Sequence, residues 1–149
     1  MTLSKSTCQS KGLNIVIPIG SLITIDFQKA GYQVPVSFVK IVARPLLLRS
    51  IDTLSVSEND TIWIALPQSL SKQLNIQHLL SKEFHNLDIL VINMSFETRG
   101  AAETLYIVCK SMNSLERTRR TVSVDSTAIY FEDILEKARS LPSKYNLLI

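Results

Sequence analysis

Four short apolar segments divide the chain at intervals that leave room for a helix between them. Residues 14–19 (NIVIPI), 61–66 (TIWIAL) and 87–93 (LDILVIN) are apolar at consecutive rather than alternate positions. This pattern is typical of strands that are buried on both faces. The fourth segment, residues 121–125 (TVSVD), alternates, which suits either a strand near the edge of a sheet or one whose carboxyl end faces a site.

Between these segments the apolar residues recur with the period of a helix. We expect a helix to begin at Pro45, because proline in a first helical position loses no hydrogen bond. Further helices are predicted over residues 69–84, 100–112 and 131–141. Strands that alternate with helices favour right-handed βαβ units. The predicted fold class is therefore α/β: a three-layer, Rossmann-like, mostly parallel sheet with helices on both faces.

The composition is that of a globular domain, with 149 residues of which 46% are hydrophobic and 19% charged. Residues 1–12 are mostly polar and predict a flexible leader, which leaves residues 13–149 as the folded domain. The segment 146–149 (NLLI), which ends on three apolar residues, is typical of a strand that has just begun. We therefore expect this domain to be the first part of a longer fold, incomplete at its C-terminus.

Charge, cysteine and histidine content exclude several classes of function. The net charge of +3 is too small to indicate a nucleic-acid or membrane partner, and the basic cluster at 117–120 has no interleaved aromatic residues. Cys8 and Cys109 fit neither a disulfide framework nor a zinc site, and His78 and His85 lack further ligands at metal-binding spacing. Because apolar runs also stay well below the roughly 18 residues of a membrane span, we expect a cytoplasmic protein.

Ligands of open parallel sheets bind at the carboxyl ends of the strands, which here directs attention to residues 20–33, 94–99 and 126–130. The loop that begins at Gly20 (GSLITIDF) contains a single glycine, whereas a phosphate cradle generally needs two or three. Asp26 in the same loop would repel a triphosphate. Taken alone, this loop is better suited to a structural role than to phosphate binding.

Residues 98–103 (TRGAAE) place small side chains at a predicted helix start. A flat ligand could lie there against the backbone. Equally, the small residues could pack the helix tightly on the sheet, with Glu103 complementing the helix dipole. Residue type alone gives these two interpretations equal weight. Glu103 disfavours a phosphate at this position, which leaves a base, a ribose or a sugar as the occupant.

With these segments laid out, residues 13 to about 149 resemble the amino-terminal part of the sugar-phosphate nucleotidyltransferases, also called nucleotide-sugar pyrophosphorylases. No single piece is specific, and the strength of the resemblance comes from their order. The matching pieces are NIVIP at 14–18, KAGY at 29–32 followed by Pro35, RPL at 44–46, TRGAAE at 98–103, and VDSTAIY at 124–130 running into DIL at 133–135.

The resemblance implies a nucleotide-diphospho-sugar transferase-like fold. It also implies a reaction in which a sugar 1-phosphate attacks the α-phosphorus of a nucleoside triphosphate and releases pyrophosphate. Magnesium is the cofactor that an active member of the family uses, and Asp125 matches one of its ligands. The residues that the resemblance assigns to nucleotide and sugar binding are Gly20, Ser21, Arg99, Gly100, Ala101, Ala102, Glu103 and Asp125.

The chain departs from the family at three positions that carry the chemistry. Ile25 or Asp26 stands where the phosphate-binding loop should end in Arg, and Val36 stands where Lys is expected. In the D-x-D motif Asp125 matches the first acid, but Thr127 replaces the second. Cations and metal carboxylates stabilise the charge that builds up during in-line displacement. No residue of this chain is therefore assigned a catalytic role.

We therefore expect a sugar nucleotidyltransferase-like protein in which the family reaction is impaired. Two alternatives stay open: an active enzyme with substituted groups, completed by Lys29, Lys40 or a partner chain, and a non-catalytic interaction or regulatory module that keeps the fold. The expected ligand is a nucleoside triphosphate or a nucleotide sugar. The expected macromolecular partner is a protein or the C-terminal part of the fold.

Overall fold

A parallel sheet forms the centre of the molecule, for which the computed structural model describes residues 12–20 and 25–142. Strands β1, β4, β5 and β6 are all parallel and lie in the order β5-β4-β1-β6, while β2 and β3 form a separate antiparallel hairpin. This arrangement confirms the predicted α/β class and its parallel sheet. The strands are β1 (Asn14–Pro18), β2 (Lys40–Ile41), β3 (Arg44–Pro45), β4 (Thr61–Pro67), β5 (Ile89–Met94) and β6 (Thr121–Ser123).

Six α-helices connect or follow these strands in the described part of the chain. Two single turns of 3₁₀-helix, at Val36–Phe38 and Glu116–Thr118, complete the regular structure. The helices are α1 (Ile25–Lys29), α2 (Leu46–Asp52), α3 (Gln68–Gln73), α4 (Ile76–Glu83), α5 (Ala101–Ser111) and α6 (Ile134–Ser140).

The core lies on both faces of the sheet, because alternate residues of β1 and β4 point to opposite sides. Ile15 and Ile17 join the side chains of α2, α4 and α6 in the larger cluster, whereas Val16 and Trp63 pack with Val108 of α5 in the smaller one. Every residue of β4 is buried. The consecutive apolar pattern of these two strands therefore predicts their burial correctly.

The two outer strands differ from each other in how well the sequence predicts them. The alternating segment forms β6 and lies at one edge of the sheet, as the first of its two interpretations expects. The segment at 87–93 is as apolar as β1, yet β5 lies at the opposite edge and is only partly buried. The prediction that it is buried on both faces is wrong, because α5 packs over β1 and β4 and leaves Leu90 exposed.

The single helix predicted over residues 69–84 is two helices in the structure. Chain direction changes at Asn75, which has a φ of 48° in the left-handed region. Asparagine is among the few residues that tolerate this conformation, so α3 ends and α4 begins without a glycine. The apolar periodicity does not detect the break, because Leu70, Ile76 and Leu80 still reach the same core cluster.

Two other boundaries are also corrected. Pro45 pairs with Lys40 in the β2–β3 hairpin and immediately precedes α2, with an extended ψ of 142°. It is therefore the N-cap residue and not the first helical residue. The loop predicted over residues 20–27 overlaps α1, a short helix that begins at Ile25 and has no buried residue.

Asp133 sets the start of α6, three residues later than predicted. Its Oδ1 accepts a hydrogen bond of 2.9 Å from the backbone N–H of Glu136, and this bond lowers the pKa of the carboxyl group. We expect Asp133→Ala to lower the free energy of unfolding by about 1 kcal/mol at neutral pH, whereas Asp133→Asn, which keeps the acceptor, should have little effect. Urea unfolding of the three proteins measures this difference.

The sign of the pH dependence follows from the lowered pKa. The charged cap contributes stability above the ordinary pKa of aspartate and loses it as the pH falls through the folded value. The difference between wild type and Asp133→Ala should therefore shrink in acid. A difference that stays constant down to pH values well below the ordinary aspartate pKa would contradict this assignment.

Candidate functional site

The segments that follow β1 and β5 meet at the carboxyl edge of the sheet. The backbone N–H of Thr98 donates to the carbonyl oxygen of Gly20 at 3.1 Å. Ile19 continues β1 by donating to the carbonyl of Ala65 at 2.8 Å. Gly20 is thus held beside the segment that leads into α5. This contact links two segments that are 78 residues apart in the chain.

Gly20 lies so close to its neighbours that no side chain fits there. A Cβ added at this position would lie 2.2 Å from Oγ1 of Thr98 and 2.7 Å from Oγ1 of Thr104. These two buried hydroxyl oxygens are 2.6 Å apart and share a hydrogen bond. The glycine is therefore needed for close packing of the first loop on α5. Ser21, predicted beside it as a ligand contact, lies outside the described residues.

The small residues at the start of α5 face open space. Gly100 has an extended φ of 167°, and a Cβ added there would have no neighbour within 4 Å. Ala101 and Ala102 are exposed, while Thr104 and Val108 make the buried contacts of the helix. Of the two interpretations of this segment, tight packing of the small residues on the sheet is therefore wrong. The surface that remains is open to a flat ligand.

Arg99 and Glu103 form an ion pair across the first turn of α5. Oε2 of Glu103 accepts from the backbone N–H of Arg99 at 2.7 Å, and its Oε1 lies 3.0 Å from Nη2 of the guanidinium. These bonds lower the pKa of Glu103 and raise that of Arg99. The Arg99 side chain is 90% exposed, so the pair can open to a ligand. In the closed pair the charge of the arginine is already balanced.

Asp125 follows β6 and is held by its own loop. Its Oδ1 accepts two hydrogen bonds of 2.7 Å, from the backbone N–H and from Oγ1 of Thr127. Its backbone N–H donates to the hydroxyl of Tyr130 at 3.1 Å, and its carbonyl accepts from Ser50 of α2. Burial raises the pKa of that tyrosine. The loop is therefore fixed against α2, with the carboxylate turned toward Thr127.

The donor groups around Asp125 make a poor magnesium site in the absence of substrate phosphates. Magnesium in proteins is bound through carboxylate oxygens, usually together with substrate phosphates and water. Within residues 12–20 and 25–142, no three His, Cys, Asp or Glu side chains lie together as a metal site. Asp125 offers one carboxylate, and Thr127 already engages one of its oxygens.

A concave pocket of about 450 Å³ lies between the carboxyl ends of β4 and β5. Exposed Phe96 gives it an aromatic wall, and Lys72 and Glu97 give it one charge of each sign. Residues 94–97 of this pocket belong to the segment 94–99 that follows a predicted strand, but the sequence assigns no ligand to any of the lining residues. The pocket is lined by Pro67, Gln68, Ser69, Lys72, Met94, Ser95, Phe96 and Glu97.

Comparison with known proteins adds no assignment. No protein-family model matches the chain, and neither a curated protein nor a solved structure matches it significantly. Among residues 12–20 and 25–142, we find no helix with the length and apolar character needed to cross a membrane.

Proposed function

We propose that this chain is a Rossmann-like, sugar nucleotidyltransferase-like domain that binds a nucleotide or a nucleotide sugar without converting it. The observation that carries the proposal is the hydrogen bond from Thr98 to Gly20, backed by the close packing of Gly20 on α5. It joins the two segments that the resemblance assigns to the nucleotide. Both segments lie at the carboxyl edge of the sheet, where open α/β sheets bind their ligands.

The shape of this edge supports a flat ligand. Gly100, Ala101 and Ala102 leave the start of α5 free of bulky side chains, and the pocket with Phe96 lies before it in the same connection from β5 to α5. A nucleobase or sugar ring can approach such a backbone closely. An aromatic side chain adds a surface on which a ring can stack.

The charges at this edge support binding without turnover. Transfer of a phosphoryl group needs groups that stabilise the developing negative charge, each typically contributing a few kcal/mol. Arg99 is balanced by Glu103, and within residues 12–20 and 25–142 Asp125 belongs to no group of three or more metal-binding side chains. Val36, and either Ile25 or Asp26, stand where the resemblance calls for cations. The chain therefore keeps the residues proposed to contact the base and lacks the cations that would bind the phosphates.

Two measurements on the same protein test the proposal. Nucleotides and nucleotide sugars should raise the melting temperature, because a ligand that binds the native state stabilises it by RT ln(1 + [L]/Kd). A panel of triphosphates and sugar 1-phosphates with Mg²⁺ should release no pyrophosphate above background. Robust magnesium-dependent release, abolished by Asp125→Ala, would instead identify an active enzyme with substituted groups.

A bulky side chain at the start of α5 should block the ligand. Ala102 is exposed in the first turn, so Ala102→Leu should leave the fold intact and weaken nucleotide binding by at least about tenfold, the equivalent of 1.4 kcal/mol. Calorimetric titration gives the affinity. Ser81→Leu, on the exposed face of α4, is the matched control and should bind as the wild type does. Equal affinity of both variants would place the ligand elsewhere.

A further inference from the structure

The hairpin formed by β2 and β3 carries an unusual turn. Val42 and Ala43 have φ values of 49° and 63°, in the left-handed region that β-branched residues rarely adopt. Arg49 of α2 holds the turn, donating from Nε to the carbonyl of Ile41 at 2.7 Å and from Nη2 to the carbonyl of Val42 at 3.1 Å. The Val42 side chain is 85% exposed, and Ile41 is also exposed. The fold therefore fixes an apolar tip that points into solvent.

A groove of about 730 Å³ opens beside this tip. Its walls come from residues 32–39, the hairpin, α2, α4 and the junction of α3 and α4, and they are mainly apolar. The side chains that give it this character are Tyr32, Phe38, Leu48, Leu74 and Leu79. The hairpin cannot fill the groove itself, because Arg49 fixes its tip and Ala43 forms part of the wall.

Opposite charges lie on the same face. Arg44 pairs with both oxygens of Asp52, at 2.7 and 2.9 Å, and with Glu83 at 2.6 Å, so two carboxylates share one guanidinium. Glu83 and Lys40 both line the groove, so its wall carries one acidic and one basic side chain in addition to Arg44. Lys40, next to the hairpin tip, is exposed and forms no ion pair with another described residue.

We infer that this face binds a second copy of the chain in a two-fold dimer, with the Ile41–Val42 tip of each copy in the groove of the other. A two-fold axis brings the same patch of both copies together. One patch carries the apolar tip, the groove, Lys40 and Glu83. A single two-fold axis therefore forms the tip–groove contact and the Lys40–Glu83 contact twice, once from each copy. Lys40 of one copy then approaches Glu83 of its partner. Burial in the partner gives a reason for valine in a turn where asparagine or glycine suits the backbone better.

Sedimentation velocity over a range of protein concentrations tests this dimer. Val42→Asn removes the apolar tip and favours the left-handed turn, so at concentrations low enough for both proteins to be monomeric the variant should melt at or above the wild-type temperature. Its dimer dissociation constant should rise about a hundredfold, because two tips are lost and each buried valine contributes about tenfold. Leu115→Asn is the control, since Leu115 is 69% exposed outside this face. It should dimerise as the wild type does.

Lys40→Glu gives an independent variant that keeps the turn. It should weaken the dimer several-fold, and added salt should reduce the difference from wild type because it screens exposed charges. A wild type that is monomeric at every concentration would overturn the inference. So would a Val42→Asn protein that dimerises normally, or equal losses in Val42→Asn and Leu115→Asn. A heterologous partner on this face would leave the pure protein monomeric.

Discussion

Gly20→Ser should lower the free energy of unfolding by about 2–3 kcal/mol, a typical cost of forcing extra atoms into a packed interior. The added Cβ would lie 2.2 Å from Oγ1 of Thr98 and 2.7 Å from Oγ1 of Thr104. Neither hydroxyl can swing away freely, since both are buried and bonded to each other. Urea unfolding measures the loss. Nucleotide binding should weaken as well, because relief of the clash moves the first loop away from α5.

Gly100→Ser is the matched control for this prediction. The same side chain is added in open space at the N-cap of α5, where serine is a favourable residue. Its stability should therefore stay within about 0.5 kcal/mol of the wild type. Thr98→Ala should partly rescue Gly20→Ser, because it removes the nearer oxygen and Thr104 still donates to the carbonyl of Gly100. Equal losses in the two serine variants would show that close packing at Gly20 is not the cause.

The sequence predicts the central strands of the sheet well, because burial on both faces requires a recognisable apolar pattern. β1 and β4 lie in the middle of the sheet and need apolar residues on both faces, which produces consecutive runs. β5 shows the limit of that argument: its apolar run is as strong, yet it is an edge strand. Position within a parallel sheet depends on which strands pair, and pairing leaves no local signal.

Helix boundaries fail for a different reason. They depend on the backbone conformation of single residues, such as the left-handed Asn75 between α3 and α4. The apolar periodicity is read over several turns and does not detect one such residue. The start of α6 shows the same limit, since the apolar periodicity predicts the helix from residue 131, although it begins three residues later, at Ile134, where the side chain of Asp133 caps it. The turn at Val42 and Ala43 gives no local signal, since neither residue favours positive φ.

The sequence predicts only part of the candidate site. It shows the small side chains after Arg99, but it does not show contacts between distant segments. The small residues after Arg99 are visible in the sequence, and the structure places them at an open surface. The role of Gly20 is not visible, because its neighbours Thr98 and Thr104 come from a distant segment. The pocket at Phe96 is likewise formed by residues from two strand ends. When a site is formed by residues from several distant segments, no single segment carries a motif that identifies it.

The magnesium dependence of nucleotide binding tests the role of Thr127 directly. Oγ1 of Thr127 donates to Oδ1 of Asp125, so the residue that the resemblance aligns with the second acid of the D-x-D motif engages an oxygen of the first. We therefore expect nucleotide affinity in the wild type to be independent of magnesium. The nucleotide-induced rise in melting temperature should be the same with Mg²⁺ and with a chelator.

Thr127→Asp should make nucleotide binding depend on magnesium. The substitution removes the hydroxyl donor and places a second carboxylate beside Asp125, which restores the paired hard anionic oxygens that a magnesium ion shares with substrate phosphates. Affinity in Mg²⁺ should exceed affinity in chelator by at least about tenfold, or 1.4 kcal/mol. Without the ion, the two like charges should make this variant less stable than the wild type. Thr127→Asn, which is similar in size and neutral, should show neither effect.

The wild-type result decides between binding and catalysis. If the nucleotide-induced shift of the wild type disappears on adding chelator, a metal site survives and Thr127 does not replace a metal ligand. The active-enzyme alternative is then preferred, with the ion held by groups other than Asp125 alone. If Thr127→Asp gains no magnesium dependence while the wild type still binds nucleotide, the carboxyl end of β6 lacks the geometry that the resemblance implies. The ligand then contacts the start of α5 without reaching Asp125.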